Sequence, residues 1–223
     1  DPNVPTPLQF MPASVNQLAT GCNTAVDDAA TFTMANQGNL MIFGLFGKNN
    51  VIRAAVDCQY GLLTTAARQP AFFRAASVPD TVMGRFEMLS TVMILYFRRT
   101  LNASVPAKAV AQGIIDAFFQ DLDHSLRELG IGDQGVPKRM KKLASMFYGR
   151  VESYGKALDS GDRVALDAAL KRNFHPDNSD PTLSMAKLAD YMVEADHVLA
   201  ALGDAVLERG GAILPVMPEG EER

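Results

Sequence analysis

Tryptophan is absent from the 223-residue chain, and cysteine occurs only twice, as Cys22 and Cys58. The separation of these cysteines fits no metal-binding or redox motif, and a reducing compartment is the simplest interpretation. The chain also lacks any apolar run of about 18 residues, so we predict no transmembrane helix. The closest approach, residues 88–97, is interrupted by Ser90 and Thr91 and favours a buried helix instead.

Basic residues are missing from the first part of the chain. Residues 1–40 contain no lysine or arginine, and prolines crowd their beginning. Since secretory and transit peptides require basic residues, we interpret this segment as a poorly ordered N-terminal extension. Residues 210–223 are rich in glycine, proline and glutamate, which predicts a flexible tail. A single helical domain is expected between the two, at residues 41–209.

The chain shows neither strong positive charge nor the alternation typical of strands. The net charge of −4 and the pI of about 5.4 argue against wholesale binding of nucleic acid, DNA included. Apolar residues make up 48% of the chain, enough for a sizeable core. They recur at spacings of three and four residues, as on one face of an α-helix. We therefore predict an all-α, single-domain multi-helix bundle of about six to seven helices.

Turn-forming residues divide the predicted helices from one another. The apolar spacing predicts helices at about residues 50–68, 81–101, 106–129, 137–160, 162–174 and 185–206, with AFFRAA (71–76) as a short turn or helix. We expect Asp80 to cap the second of these helices and Gly130 to terminate the third. Pro106 and Pro137 suit the first turn of the helices that they begin.

An unusual segment joins the predicted helices at 106–129 and 137–160. This connector, residues 130–137, places an aspartate among three glycines: Gly130, Gly132, Asp133, Gly135, Val136 and Pro137. The glycines permit backbone angles that are closed to other residues, and Asp133 suits either holding the turn or capping the next helix. The connector is interpreted either as a structural hairpin turn or as a rigid recognition loop. A phosphate-binding loop is disfavoured because no strand precedes it.

Four basic residues open the helix after the connector: Lys138, Arg139, Lys141 and Lys142. Positive charge near a helix N-terminus opposes the helix dipole and costs roughly 0.3–1 kcal/mol per exposed charge. Two explanations remain open. Either the charges bind an anionic partner such as lipid headgroups, ribosomal RNA or an acidic protein, or they pair with acidic residues of the preceding helix and connector, namely Asp121, Asp123, Glu128 and Asp133.

Two apolar features are further candidates for external contacts. The hexapeptide MIFGLF at residues 41–46 is followed by Lys48. It either docks on the core or contacts a membrane or client through Phe43, Leu45 and Phe46, and it is too short to span a bilayer. Tyr148 lies off the apolar stripe of its helix and is expected to be exposed.

Two carboxylate–histidine pairs have the helical i, i+3 spacing found in di-iron bundles. Because both histidines lie off the apolar stripes, surface pairs are the better interpretation. No Ser/His/Asp or Cys/His triad can be assembled either, so we predict no catalytic residue, no metal site and no cofactor. The residues considered for a metal site are Asp121, His124, Glu194 and His197, with Glu87 and Glu152 as further ligands.

Four blocks of sequence, in order along the chain, resemble the ubiquinol–cytochrome c chaperone family. The longest is FFQDLDHSLRELGIGDQGVPKRMKKLASMFYGRVESYGKAL at residues 118–158. Upstream lie MIFGLF (41–46), ARQPAFF (67–73) and VPDTVMGRFEML (78–89). The resemblance covers about residues 41–175, and the chain after residue 177 resembles nothing we can place.

The resemblance implies a helical, non-enzymatic assembly factor for cytochrome b and ubiquinol–cytochrome c reductase, respiratory complex III, that acts by protein–protein contact. It also implies a small co-chaperone, a ribosome surface and the inner membrane as partners, without a small-molecule substrate. A cytoplasmic location, with peripheral contact at the cytoplasmic face of the inner membrane, is expected. The partner-binding candidates are Gly130, Gly132, Asp133, Val136, Pro137, Lys138, Arg139, Lys141, Lys142 and Tyr148.

Two alternative functions remain open from the residues alone. One is a helical di-metal carboxylate enzyme, which stoichiometric iron or manganese in the purified protein would support. The other is a peripheral membrane interaction module, which the apolar hexapeptide at residues 41–46 would anchor.

Overall fold

A computed structural model of the protein describes the backbone of residues 43–178 and 180–219, with side chains from Asn50 onward in these ranges. The described chain is helical and contains no strand, which confirms the all-α prediction. The predicted N-terminal extension, residues 1–40, lies outside the described residues. The helices are α1 (Phe43–Ala67), α2 (Pro70–Ala75), α3 (Val82–Thr100), α4 (Val105–Glu128), α5 (Val136–Ser160), α6 (Arg163–Phe174), α7 (Ala186–Ala200) and α8 (Asp204–Glu208).

Helix α3 lies at the centre of the bundle and contacts α1, α4, α5, α6 and α7. The apolar run at residues 88–97 makes this position favourable, because a helix surrounded on all sides must be apolar on all sides. Met88, Val92, Met93, Ile94 and Leu95 are each fully buried. The prediction of a buried helix at this run is therefore confirmed.

The start of α3 is fixed by a cap and by a close backbone approach. The Gly84 amide donates to the Thr81 hydroxyl at 3.0 Å, so Thr81 and not Asp80 is the capping residue. Asp80 instead pairs with Arg85 at 2.7 Å. A Cβ on Gly84 would lie 1.9 Å from the Pro79 carbonyl oxygen, so only glycine fits at this point.

Two arginines at the end of α3 join it to the last helices. Arg98 pairs with Asp159 of α5 and with Asp196 of α7, both at 2.9 Å. Arg99 pairs with Asp204 at 2.7 Å and donates to the Leu202 carbonyl. These long-range ion pairs connect segments that are about 60 to 105 residues apart in the chain.

Three expectations about helix limits and exposure were wrong. The single helix expected at residues 185–206 is divided into α7 and α8, since Leu202 directs its carbonyl to Arg99 and Gly203 adopts an extended ψ of 152°. The first helix begins at Phe43 instead of residue 50. The spacing of four residues between Val82 and Phe86 predicts that both are buried, but Val82 is 66% exposed because it occupies the first helical position.

The segment after α8 is packed, in contrast to the flexible tail expected from residue 210. Ala212, Leu214 and Met217 are all buried. Gln59 and Gln69 hydrogen-bond to the backbone of this segment. The composition misled the prediction because the segment is held by side-chain amides and not by regular secondary structure. Residues 220–223 lie outside the described residues.

Cys58 on α1 is disulfide-bonded. This bond was not predicted from the sequence, because the separation of the two cysteines fits no redox motif. A separate finding concerns membrane insertion: among the described residues, no helix has the length and apolar character needed to cross a bilayer.

A buried ion pair joins α3 to α5. The Arg150 guanidinium donates through two nitrogens to the Glu87 carboxylate, and the two side chains are 8% and 2% exposed. Arg150 also donates to the Met146 carbonyl at 2.6 Å. Burial raises the pKa of Glu87 above its ordinary value, and the neighbouring guanidinium opposes that rise without cancelling it.

We predict that Arg150→Met destabilises the fold by about 3–5 kcal/mol near neutral pH, because it leaves the Glu87 carboxylate buried and unpaired. Because the pKa of Glu87 is raised in the folded protein, this residue favours folding at low pH. That contribution is lost as the pH increases through the raised pKa. Removal of Arg150 raises the pKa of Glu87 further, because the guanidinium that lowers it is gone. Urea unfolding should therefore show a smaller loss of unfolding free energy at pH 5 than at pH 8. Between the ordinary pKa of Glu87 and its raised pKa, this loss grows by about 1.4 kcal/mol per pH unit.

Lys156→Met provides the control on the same helix, because Lys156 is exposed and has no partner among the described residues. Its unfolding free energy should stay within about 0.5 kcal/mol of the parent. The double variant Glu87→Leu/Arg150→Met should recover most of the stability. An equal loss for Arg150→Met at both pH values would contradict the assignment.

Candidate partner-binding surface

The first half of the connector is a helix-terminating motif. Gly130 has a φ of +78°, the left-handed conformation that suits glycine. Its amide donates to the Arg127 carbonyl at 2.9 Å, and the Ile131 amide donates to the Leu126 carbonyl at 3.2 Å. These two bonds form a Schellman motif, so the prediction that Gly130 terminates this helix is confirmed.

The second half of the connector turns the chain into α5. The Gly132 carbonyl accepts from the Gly135 amide at 2.7 Å and from the Val136 amide at 3.2 Å. Val136 is buried and begins the helix, and Pro137 follows it within the first turn. Neither Gly132 nor Gly135 has a positive φ, so the expectation that all three glycines supply special backbone angles holds only for Gly130.

Asp133 does not cap α5, in contrast to one of the two roles expected for it. The residue before α5 is Gly135, and no side chain caps this helix. Asp133 pairs instead with Arg127 of α4, which also pairs with Asp123 at 2.7 Å. The two carboxylates raise the pKa of Arg127 above its ordinary value, with the hydrogen bond to Asp123 as the largest cause. The exposed connector is thus tied back to α4.

The four basic residues at the start of α5 are unpaired. Lys138, Arg139, Lys141 and Lys142 are exposed and make no ion pair or hydrogen bond with any described side chain. The nearby acidic residues have other partners. Asp123 and Asp133 pair with Arg127, Glu128 pairs with His124 at 3.3 Å, and Asp121 accepts from the Tyr60 hydroxyl at 2.7 Å. The intramolecular explanation for the basic residues is therefore wrong.

Most of these side chains share one side of α5. Lys138, Lys141 and Lys142 have the spacing of neighbours on a helix surface, and Tyr148 follows Lys141 after two turns. Tyr148 is 57% exposed, as expected. We call Lys138, Arg139, Lys141, Lys142 and Tyr148 the basic face. The opposite side of α5, which includes Phe147 and Arg150, is buried.

Tyr148 is supported from below by a cluster of aromatic rings. Its ring lies 5.7 Å from that of Phe147, edge to face. Phe147 in turn contacts Phe97 of α3 and both Phe118 and Phe119 of α4, at centroid distances of 5.4 to 6.3 Å. Such pairs contribute about 0.5–1.5 kcal/mol beyond the area that they bury. The exposed tyrosine therefore packs against a largely buried aromatic cluster.

Leu129 is a surface residue, although its spacing of three residues from Leu126 continues the apolar stripe of α4 and predicts burial. It is 62% exposed, because it follows the last residue of α4 and precedes the left-handed Gly130. Its position immediately before a terminating glycine is the signal that would have identified it. Leu129 adds an apolar side chain beside the connector.

The residues considered for a metal site are not brought together. Glu87 is buried against Arg150, whereas His124 and Glu128 form a surface pair with side chains 75% and 69% exposed. Glu194 and His197 are exposed on α7. In the part of the chain that the structure describes, no group of three or more His, Cys, Asp and Glu side chains could hold a metal ion.

The membrane-contact candidates fall at the beginning of α1. Phe43, Leu45 and Phe46 belong to its first turns, and their side chains lie outside the described residues. Any role for them in external contact stays a prediction.

The described residues form an all-α bundle with an exposed basic face on α5. The chain belongs to the ubiquinol-cytochrome C chaperone family, whose pattern it matches over residues 74–214. This family is one of non-enzymatic chaperones. The matched range extends beyond residue 177, where the sequence resemblance ended, and therefore includes α7, α8 and the packed segment that follows.

One solved structure is closely similar. The crystal structure of the Cbp3 homolog from Brucella abortus is 46% identical in sequence, with a TM-score of 0.70. The similarity covers 78% of this chain and 96% of that one. A comparison with curated protein sequences found no match.

We predict that Gly130→Ala lowers the free energy of unfolding by about 1–2 kcal/mol, the strain of placing a side chain at a left-handed φ. Gly132→Ala is the matched control, two residues away in the same connector. Its φ is not positive and no atom lies within 4 Å of its added Cβ, so its stability should be unchanged. Urea unfolding of both variants distinguishes them, and equal losses would contradict the assigned backbone geometry.

Proposed function

We propose that this chaperone is an assembly factor for cytochrome b within ubiquinol–cytochrome c reductase, respiratory complex III. We propose further that it acts by protein–protein contact through the connector and the basic face. Membership of the chaperone family over residues 74–214 is the observation that carries the proposal. The unpaired cations of α5 support the choice of surface, because their charge is not used inside the described fold.

The basic face has the chemistry of a docking surface. Like charges at the beginning of α5 repel one another and oppose the helix dipole, so an anionic partner would relieve both effects. Tyr148 and Leu129, 57% and 62% exposed, add apolar area beside the charge. Tyrosine is enriched among residues that dominate binding energy. The Schellman motif and the Arg127 ion pairs hold the connector in one shape, which reduces the entropy lost on binding.

Further partners and the location are part of the same proposal. A small co-chaperone and a ribosome surface are proposed partners of the chaperone, in addition to the assembly intermediate. Peripheral contact with the inner membrane, from its cytoplasmic side, would involve Phe43, Leu45 and Phe46. A di-metal enzyme is not proposed, since its residues are dispersed in the structure.

Charge reversal tests the surface. We predict that Lys141→Glu/Lys142→Glu weakens association with the cytochrome b assembly intermediate at least tenfold, about 1.4 kcal/mol. Helicity should persist, because both side chains are exposed and glutamate has about the same helix propensity as lysine. The measurement is co-purification of tagged chaperone with cytochrome b, with circular dichroism as the folding check.

The control reverses two equally exposed lysines elsewhere. Lys156→Glu/Lys187→Glu makes the same change in net charge, and neither lysine has a partner among the described residues. This variant should bind like the parent. Equal binding by both double variants, or equal loss in both, would remove the basic face from the proposal.

The client itself is tested by deletion of the gene. We expect cytochrome b and assembled complex III to be strongly reduced in the deletion strain and restored by the parent sequence. Spectroscopic quantification of cytochrome b in membranes gives the answer. Normal levels of both in the deletion strain would refute the proposed client.

A further inference from the structure

Residues 210–217 follow α8 and run along α1 without helix or strand. We call this segment the strap. A Cβ on Gly210 would lie 2.1 Å from the Ala55 carbonyl oxygen, so the strap begins in direct contact with the α1 backbone. Farther on, Ala212 meets Gln59 and Met217 meets Gln69. Because Gln59 lies in α1 and Gln69 just before α2, the strap advances in the same direction as α1 and reaches the start of α2.

The buried side chain of Gln59 forms two hydrogen bonds with the backbone of the strap. Its amide nitrogen donates to the Ala212 carbonyl at 2.8 Å, and its amide oxygen accepts from the Ala212 amide at 2.8 Å. Gln59 is fully buried. A side-chain amide used in this way replaces the donor and acceptor that a neighbouring β-strand would supply.

Gln69 repeats the arrangement at the other end of the strap. Its amide oxygen accepts from the Met217 amide at 2.8 Å, and its amide nitrogen donates to the Pro215 carbonyl at 3.4 Å. The Tyr191 hydroxyl of α7 donates to the same carbonyl at 3.3 Å. The strap thus lies in a groove that contains α1 and α7 residues.

The groove holds the side chains of the strap unequally. Ala212 and Leu214 are buried, whereas Ile213 between them is only partly buried. Val216 is 38% exposed and Met217 is buried. Burial alternates from Ala212 to Leu214, as in an extended peptide, and the alternation ends at Pro215, after which Met217 is the buried residue.

We propose that this groove is a binding site for extended apolar polypeptide and that the strap is its resident ligand, which an extended apolar segment of a client displaces. The client in this statement rests on the proposed chaperone function. The binding chemistry does not, because it follows from the groove and the strap.

The hydrogen bonds of the strap allow displacement. Within the described residues, the backbone of residues 212–217 makes no hydrogen bond to other backbone, and its bonds go to Gln59, Gln69 and Tyr191. Leaving the groove therefore breaks no helix and no sheet. Recognition through backbone groups also tolerates changes of sequence, as a site for varied apolar segments must.

Tethering explains why the strap occupies the site in the free protein. A covalently linked ligand is present at an effective concentration of about millimolar. A free peptide at micromolar concentration would compete poorly with it, so the groove becomes available only when the strap is weakened or the incoming segment is itself held nearby.

The test uses the full chain and a fluorescent peptide of residues 210–219, GGAILPVMPE, which contains the strap. Ala212→Pro removes the amide that donates to Gln59 and so weakens the strap without changing the groove. We expect the peptide to bind this variant at least tenfold more tightly than it binds the parent, by fluorescence anisotropy. Adding Gln59→Leu, which changes the groove itself, should abolish that gain. A peptide with proline at the Ala212 position should bind at least tenfold more weakly.

Val216→Ser is the control in the strap, since Val216 is partly exposed and its amide is unbonded among the described residues. It should leave peptide binding unchanged. If Ala212→Pro prevents folding, Met217→Ser loosens only the far end and carries the same expectation. If either variant folds and gains no peptide binding, the strap is a fixed part of the fold. That result would leave the proposed client untouched, because the client is tested separately by cytochrome b levels in the deletion strain.

Discussion

The ion pair between Glu87 and Arg150 is the constraint on which the arrangement of the helices depends. A carboxylate that is buried on the central helix α3 has to be neutralised, because an unpaired charge there would cost several kcal/mol. Arg150 meets this need from α5, and Phe147 fills the adjacent space with its ring. With these two side chains directed inward, the rotation of α5 about its axis is fixed. Lys138, Lys141 and Lys142 are then exposed as a consequence of the core.

The sequence predicts local features well and distant partners poorly. Gly130 ends its helix as expected because a Schellman motif is decided by a few neighbouring residues. Asp133, by contrast, has several feasible local roles, and the structure selects a pair with Arg127 that no spacing rule identifies. The division of α7 from α8 follows from Arg99, which is about 100 residues away in the chain. The strap was missed for the same reason, since Gln59 and Ala212 are 153 residues apart.

The candidate site was predicted in composition but not in electrostatics. Exposure of the basic residues follows from their position off the apolar stripe, and the stripe is visible in the sequence. Whether they are neutralised depends on where every nearby carboxylate points. The structure answers that question through Tyr60, Arg127 and His124, which take the acidic partners that α4 and the connector offer. These contacts exclude the internal pairing that the sequence left open, and the external partner stays a proposal.

The basic face and the strap groove have different binding chemistry, and a chaperone for an apolar client has use for both. Charge acts over about 8–10 Å at physiological salt and selects a partner before contact, mainly through the association rate. Backbone recognition acts only at contact and is indifferent to most side chains, which suits a client segment that has not yet folded. The fold itself requires neither property. Polar uncharged residues in place of Lys138 and Arg139 would relieve the helix dipole of α5, and a helix in place of the strap would satisfy its own backbone. Stability alone therefore does not explain either feature, and the proposed partners would give each of them a function.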